Sequence, residues 1–164
     1  MPQHESSTST GFEKILAGFP FFEAMEAHHL KTIAGCASNV KFKAGEMIFR
    51  ENEDATQFYV IRHGNVGVEV HVPHRGPMTV GTLHDEDVLG WSWLFPPYQW
   101  HYGARALTLV RATAFDGLCL RKKCDEDRDL GYELMKRFAN IMVNRLQNTR
   151  LQLLDVYGNA KGIH

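Results

Sequence analysis

The sequence lacks the features that mark membrane and secreted proteins. No apolar run approaches the roughly 18 residues that cross a bilayer, and the opening residues MPQHESSTST lack the charged and then apolar order of a signal peptide. Only three cysteines are present, Cys36, Cys119 and Cys124, and no two of them form a CxxC pair. The sequence therefore predicts a cytoplasmic chain with buried or incidental thiols, without a disulfide framework or a zinc knuckle.

The sequence also lacks an excess of charge of either sign. Eighteen Lys and Arg residues stand against nineteen Asp and Glu residues, which gives a formal net charge of -1 and a pI near 6.7. Without a global positive field, wholesale nucleic-acid binding is disfavoured. After Tyr157 only a short tail remains, which leaves no room for a helix-turn-helix domain. We expect neither DNA nor a membrane among the partners of this chain.

Catalytic and metal-binding motifs are missing as well. The sequence has no GxGxxG motif and no P-loop, and no family motif pairs Ser92, Cys119 or Cys124 with a base. His28 and His29 are adjacent on a predicted helix, so their side chains should point roughly 100° apart, which is poor geometry for sharing one ion. We therefore predict that the protein is not an enzyme and holds no metal.

What the sequence does contain is enough apolar material for one folded domain. The 164 residues are 44% hydrophobic and 23% charged, the balance of a single soluble domain. Residues 1–11 have no apolar periodicity and are predicted to be a disordered lead-in. Helical spacing predicts two short helices at residues 12–17 and 26–37, separated by a Gly-Phe-Pro break. We place the domain at residues 12–157 and a tail at residues 158–164.

From Asn39 onward the apolar period changes to two. The clearest strand is residues 66–72, where four valines alternate with glycine, glutamate and histidine. Further strand patterns occur at residues 40–42, 47–49, 58–61, 78–83 and 104–115. Short strands divided by turn signals about every ten residues indicate an antiparallel sandwich or barrel. We predict a mainly β chain, formally α+β, with an antiparallel jelly-roll β-barrel.

The chain ends in a predicted long helix. Residues 122–129 look like a charged connector, and residues 130–156 keep helical spacing up to Gly158, which we expect to cap the helix. The apolar side chains cover an arc of roughly 220°, about twice the width that packing on one surface requires. A second surface must therefore cover part of the helix. We predict contact with a partner chain through Leu134, Phe138, Ile141, Met142, Leu146 and Leu153.

The residues that fill this order of elements resemble a known family. Residues 42–55 read FKAGEMIFRENEDA and residues 58–66 read FYVIRHGNV. This segment closely resembles the cyclic-nucleotide-binding domain of the CRP/FNR sensor family, in which a glycine turn, an Ile-Phe strand, an acidic loop, a Tyr-x-Ile strand and a second glycine turn follow one another. The resemblance runs from about Phe12 to about Tyr157. It implies the jelly-roll fold and a ligand pocket formed by the next segment.

The pocket segment departs from the family pattern. The resemblance implies a Gly-Glu-x-x-Leu helix whose glutamate takes the ribose hydroxyl, then an Arg-Ser/Thr-Ala segment whose arginine pairs with the cyclic phosphate. Here Trp91 occupies the glutamate position, while Trp100 and His101 occupy the arginine and hydroxyl positions. A buried phosphate needs a cation, and only Arg105 and His101 remain as candidates. Ordinary cAMP or cGMP recognition is therefore not expected.

Aromatic residues replace the charged contacts in this segment. Trp91, Trp93, Phe95, Tyr98, Trp100 and Tyr102 fall within twelve residues. The rings could fill the vacated pocket, stack on a flat heterocycle such as nicotinamide, adenine or flavin, or anchor a partner protein. We take as candidate pocket residues, called the cassette below, Gly90, Trp91, Ser92, Trp93, Leu94, Tyr98, Trp100, His101 and Arg105.

Two functions follow from this pattern. The first is a non-catalytic regulatory or accessory module that docks on a partner protein. Residues 90–94 (GWSWL), 96–98 (PPY) and 150–158 (RLQLLDVYG) are similar to the small accessory subunits associated with some NAD-reducing soluble hydrogenases. That resemblance implies an NAD-linked oxidoreductase as the partner. The alternative is a homodimeric sensor of a cyclic nucleotide or another small ligand, NAD(P) among them.

Overall fold

Within residues 6–160, which are those that the computed structural model describes, two four-stranded sheets and four α-helices make up the fold. The helices are α1 (Ser6–Ala17), α2 (Ala27–Ala34), α3 (Gly117–Glu126) and α4 (Arg128–Ala160). The strands are β1 (Ala37–Phe42), β2 (Met47–Phe49), β3 (Gln57–His63), β4 (Val66–Val72), β5 (Gly76–Leu83), β6 (Val88–Leu89), β7 (Gly103–Ala106) and β8 (Val110–Asp116). Two single-turn 3-10 helices lie at Pro20–Phe22 and Ser92–Leu94.

All strand pairs are antiparallel. One sheet has the order β1-β8-β3-β6 and the other has the order β2-β7-β4-β5. The predicted mainly β, antiparallel jelly-roll class with a long closing helix is therefore confirmed. The pattern at residues 104–115 is not one strand: β7 pairs with β4, β8 pairs with β1 and β3, and the chain passes between the sheets at residues 107–109.

The core joins both sheets to the helices. Phe58 of β3 stacks on Phe115 of β8 with ring centroids 4.4 Å apart, and the ring of Phe138 on α4 meets Phe58 edge-on at 5.1 Å. All three side chains are fully buried, and so are Leu16 of α1 and Ile33 of α2. Burying a side chain of this size stabilises the fold by roughly 1.5–3 kcal/mol. This core fixes the beginning of α4 against the β-roll.

Two segments predicted to be irregular are helical. The expected disordered lead-in is wrong for residues 6–11, which form the first turns of α1, while residues 1–5 lie outside the described residues. The expected charged connector is wrong for residues 122–126, which continue α3. Asp116 caps that helix, because its carboxylate accepts a hydrogen bond from the backbone N–H of Cys119 at 2.9 Å. A good N-cap stabilises a helix even when the residues of that helix are strongly charged.

The long helix continues past its predicted end. Gly158 does not cap α4, which extends through it to Ala160, so the predicted tail is helical at residues 158–160. A helical glycine costs only about 1 kcal/mol relative to alanine, and it ends a helix chiefly by taking a left-handed conformation. Gly158 does not take that conformation. None of the helices described between residues 6 and 160 combines the length and apolarity that spanning a bilayer requires.

The cysteines are not three unpaired thiols. Cys36, just before β1, forms a disulfide with Cys119 of α3, although 83 positions separate them in the sequence. The expectation that no disulfide forms is therefore wrong, because the antiparallel pairing of β1 with β8 brings the two ends of the β-roll together. Cys124 stays a free thiol, and burial, reinforced by the nearby Asp125 and Asp127 carboxylates, raises its pKa to about 11.

Candidate functional site

Trp100 fills the centre of the cassette. Its indole is 3% exposed and lies parallel to the ring of Phe49 on β2, with ring centroids 3.7 Å apart and an interplanar angle of 8°. On the other side it packs against Gly90, where an added Cβ would lie 2.7 Å from two indole carbons. Gly90 also has a φ of 94°, which favours glycine. The side chain at the expected arginine position is therefore a packed core residue.

Trp91 lies at the edge of the β-roll and faces α4. Its ring is partly buried and meets the ring of Tyr102 edge-on at 5.3 Å. The guanidinium of Arg145, on α4, lies 5.0 Å from the centroid of the Trp91 ring. Arg145 also donates a hydrogen bond to the carbonyl of Val88. Burial raises the pKa of Tyr102, and the nearby Arg145 partly opposes that rise.

Trp93 and Tyr98 point away from this group. Trp93 is fully buried in the core, stacked on Phe58 with ring centroids 5.1 Å apart. Tyr98 is partly buried beneath Arg121 of α3, whose guanidinium lies 4.1 Å from the centroid of the ring. Arg121 also donates a hydrogen bond to the carbonyl of Trp93. The aromatic residues of the cassette therefore divide between the pocket, the core and the α3 surface.

The polar residues of the cassette are held by other protein groups. Ser92 is buried, and its hydroxyl lies 3.1 Å from the Nδ1 of His101, whose side chain is exposed. Arg105, on β7, donates from Nε to the Glu69 carboxylate at 2.7 Å and from Nη1 to the carbonyl of Gly45 at 2.9 Å. The neighbouring Leu94 is partly buried against the core. Both cation candidates named from the sequence thus have protein partners.

An open cavity remains outside Trp100, and we call it the outer cavity. It measures about 310 Å³ and lies between β4, β5, Trp91 and α4. Its wall combines one exposed aromatic edge with amide and hydroxyl groups of α4. The lining residues that matter for recognition are Val68, Leu83, Trp91, Arg145, Asn148 and Thr149. The shape suits a flat group that stacks on an indole and accepts or donates a few hydrogen bonds.

The predicted partner helix divides into two parts. Leu134 and Phe138 are 0% exposed and belong to the core of their own domain, so their assignment to a partner surface is wrong. They face inward because the first turns of α4 pack against the β-roll. Ile141 is partly buried, whereas Met142, Leu146 and Leu153 are exposed. The exposed apolar face thus begins at about residue 142 and continues to the end of the described helix.

The sequence reading missed two residues of the site. Phe49 supplies the ring on which Trp100 stacks, and no local pattern links a strand residue to a tryptophan about fifty positions later. Arg145 of α4, which the sequence did not indicate as a site residue, contacts Trp91 and Val88. Its position seven residues after Phe138 was an available signal, since that spacing places both side chains on the same face of a helix.

The comparisons agree with this fold. Residues 39–127, more than half of the chain, match the cyclic nucleotide-binding domain family, and the chain therefore belongs to that family. Among proteins whose functions have been curated, none matches the sequence. This match agrees with the cyclic-nucleotide-binding fold predicted from the sequence.

Solved structures show the same fold with different ligands. A protein from Geobacter metallireducens GS-15, named as a cyclic nucleotide-binding protein, is 28% identical, covers 82% of this chain and 97% of its own, and gives a TM-score of 0.74. The regulatory domain of Toxoplasma gondii PKA with cAMP is 15% identical, covering 86% and 50% of the two chains with a TM-score of 0.67. The regulatory subunit of a cAMP-independent protein kinase A from Trypanosoma cruzi, bound to guanosine, is 20% identical, with coverages of 84% and 51% and a TM-score of 0.61.

Proposed function

We propose that this chain is a non-catalytic regulatory or accessory module that recognises a partner protein through α4 and does not respond to cyclic AMP or cyclic GMP. One observation carries the proposal: Trp100 stands where the family resemblance expects the phosphate-binding arginine, and it is packed between Phe49 and Gly90. An indole offers a single N–H donor and no charge. The position that should hold a phosphate is occupied by apolar protein atoms.

The nearby cations do not compensate for the missing arginine. Arg105 is paired with Glu69, whose side chain is only 11% exposed, so withdrawing the guanidinium would leave that carboxylate unpaired and largely buried. Arg145 lies over Trp91 and is bound to a backbone carbonyl. Recruiting either side chain to a phosphate would break an existing interaction. Cyclic nucleotide binding is therefore disfavoured for two reasons: the positive charge of the arginine is missing, and the Trp100 indole fills the volume that the phosphate needs.

Isothermal calorimetry with cyclic AMP and cyclic GMP tests this part of the proposal. We expect dissociation constants no tighter than about 1 mM, which corresponds to roughly −4 kcal/mol. Arg105→Ala should give the same result as the parent chain. Micromolar binding of cyclic AMP that is lost in Arg105→Ala would show that the chain is a cyclic nucleotide switch.

The surface proposed for the partner is a stripe along α4, which we call the α4 seam. Its positions alternate by three and four residues, the spacing that keeps side chains facing a second helix. The seam consists of Tyr132, Met135, Ala139, Met142, Leu146, Thr149, Leu153 and Val156. Leu146 is 54% exposed and Leu153 is 52% exposed, so large apolar side chains stand in solvent unless another chain covers them.

Charge favours a different protein over a second copy as the occupant of the seam. The charged residues at the positions that flank it are Lys136, Arg145 and Arg150, all basic, and the sequence has no acidic residue at these positions. Lys136 already pairs with Glu133 of its own helix at 3.0 Å, but in a parallel pair of identical helices Arg150 would lie opposite Arg145 of the second copy and would find no opposite charge. A partner helix with acidic flanks would supply it. The resemblance to accessory subunits of NAD-reducing hydrogenases makes the NAD-handling part of such an enzyme, in the cytoplasm, the first partner to test.

Leu146→Asp separates these possibilities, with Gln147→Asp as the matched control on the neighbouring exposed position. By sedimentation the purified chain should be a monomer. With a reconstituted NAD-reducing hydrogenase, the parent chain and Gln147→Asp should co-purify, and Leu146→Asp should lose at least about tenfold in affinity. A stable dimer of the purified chain that Leu146→Asp dissociates would replace the proposal with a homodimer.

The outer cavity favours a second candidate function, a sensor of a small ligand with a flat heterocycle. Trp91 offers a stacking surface, and Asn148 and Thr149 offer hydrogen bonds across about 310 Å³. Nucleosides and the nicotinamide or adenine ring of NAD(P) have this chemistry. Titration with guanosine, NAD⁺ and NADH, followed by tryptophan fluorescence, tests the candidate. Saturable quenching that is lost in Trp91→Leu would support it, and no quenching at about 1 mM ligand would contradict it.

A further inference from the structure

His29 has a buried imidazole whose two ring nitrogens have no hydrogen bond among the described residues. It lies on α2 and is 3% exposed. The nearest acid is Asp127, between α3 and α4, whose Oδ2 is 3.4 Å from the Nε2 of His29 without hydrogen-bond geometry. Leaving a buried polar group unpaired costs about 1–3 kcal/mol. Such a group commonly marks a position where something else binds.

Two further donor groups lie beside this imidazole. The Nδ1 of His28 is 3.2 Å from the Oε2 of Glu26, and both side chains are about two-thirds exposed. The rings of His28 and His29 have centroids 4.1 Å apart, so the expectation that adjacent histidines diverge on the helix is wrong. One donor atom from each of Glu26, His28 and His29 lies within 4.8 Å of the others.

One of these distances matches the spacing of two ligands around a metal ion. Donor atoms held at about 2 Å by a tetrahedral zinc ion are roughly 3.3 Å from each other, close to the observed separation between His28 and Glu26. Glu26 and His29 also border a cavity of about 280 Å³ that is lined in addition by Met25, Asp129 and Glu133. An ion there would have an open route to solvent and room for water as a further ligand.

We propose that Glu26, His28 and His29 bind one divalent transition-metal ion of the zinc type. Two imidazoles and one carboxylate favour such an ion over calcium or magnesium, which prefer oxygen ligands. Asp127, whose Oδ2 lies 3.4 Å from the Nε2 of His29, is the carboxylate that would orient this imidazole once the ion is bound. The Nδ1 of His29 is then the nitrogen that faces the ion.

The test uses the full chain without a purification tag, first freed of metal with a chelator. Zn²⁺ is titrated in competition with a chromophoric chelator, and Co²⁺ absorption in the visible range reports the ligand geometry. We expect one Zn²⁺ per chain with a dissociation constant of about 1 µM or tighter. Because the ion binds the folded chain, it should also raise the melting temperature.

His28→Ala and Glu26→Gln remove exposed ligands, so they should fold like the parent chain. Each should weaken Zn²⁺ binding by at least about tenfold and remove the gain in melting temperature. His63→Ala is the control, because His63 is an exposed histidine 4.0 Å from Asp85; it should bind like the parent. A parent chain that binds Zn²⁺ more weakly than about 100 µM, or an unchanged affinity in His28→Ala, would overturn the proposal.

Discussion

Trp100 shows how one side chain changes what a pocket can recognise. The sequence placed this residue at the arginine position of the family, and that alignment was enough to expect the loss of phosphate binding. It left open whether the ring fills the pocket, stacks on a ligand or points toward a partner. The stack on Phe49 and the contact with Gly90 answer this for Trp100. Which of these three roles the ring takes depends on residues distant in the chain, which a local motif does not contain.

Replacing Trp100 should therefore destabilise the fold. We expect Trp100→Ala to lower the free energy of unfolding by about 3 kcal/mol or more, because it removes a buried indole and leaves a cavity. Trp91→Ala should cost less, since Trp91 is only partly buried. Urea denaturation followed by circular dichroism measures both.

Gln99→Ala is the control for this pair, because Gln99 is an exposed neighbour in the same loop. Its effect should stay within about 0.5 kcal/mol. If Trp100→Ala unfolded at the same urea concentration as the parent chain, the indole would not be a core residue. The Trp100 side chain would then no longer block a cyclic nucleotide sterically.

At the scale of elements, the sequence predicted the existence of α4 well and its faces poorly. Apolar periodicity identified a long helix with more apolar surface than one contact needs. Apolar periodicity does not predict which of these residues the domain itself buries, since that depends on where the helix packs against the β-roll. Leu134 and Phe138 face the core, and the face from residue 142 onward is exposed. For α3, the charged composition of residues 122–129 predicted a connector, whereas Asp116 caps a helix that continues to Glu126.

Gly158 offers a test of the boundary of α4. In a helix that continues to Ala160, Gly158→Ala should stabilise the last turns by up to about 1 kcal/mol, because alanine has the higher helix propensity. The added Cβ meets no atom within 4 Å. Far-UV circular dichroism should show equal or greater helicity and an unchanged core melting transition.

The opposite result would follow from a glycine cap. A capping glycine takes a left-handed conformation that alanine adopts at a cost. A clear loss of helicity in Gly158→Ala would therefore return the end of the helix to residue 157.

At the scale of the whole molecule, the jelly roll followed from the sequence because the turn and strand motifs of residues 42–66 are specific to one family. The closing helix followed separately, from the helical spacing of residues 130–156. The disulfide did not, because pairing of Cys36 with Cys119 depends on the ends of the β-roll meeting in space. Three cysteines without a motif gave no indication of which two would be close.

Breaking this disulfide should weaken the entire domain. The bond closes a loop of more than eighty residues that spans β1 to β8, and chain entropy assigns such a link about 4–5 kcal/mol. We expect a reductant to lower the midpoint of urea unfolding of the parent chain but not that of Cys36→Ser. Without reductant, the denatured parent should titrate with one free thiol, that of Cys124. Three free thiols before reduction would contradict the pairing.

The way α4 is anchored has a mechanical consequence. Leu134 and Phe138 fix its first turns in the core, and Arg145, through Val88 and Trp91, is the last side chain up to residue 160 that ties it to the β-roll by a polar contact. About 15 residues follow, a rigid rod of roughly 22 Å. A tilt of about 10° at Arg145 would move its far end by roughly 4 Å. Any change in the angle of α4 at Arg145 would therefore cause the largest displacement at the C-terminal end of the seam.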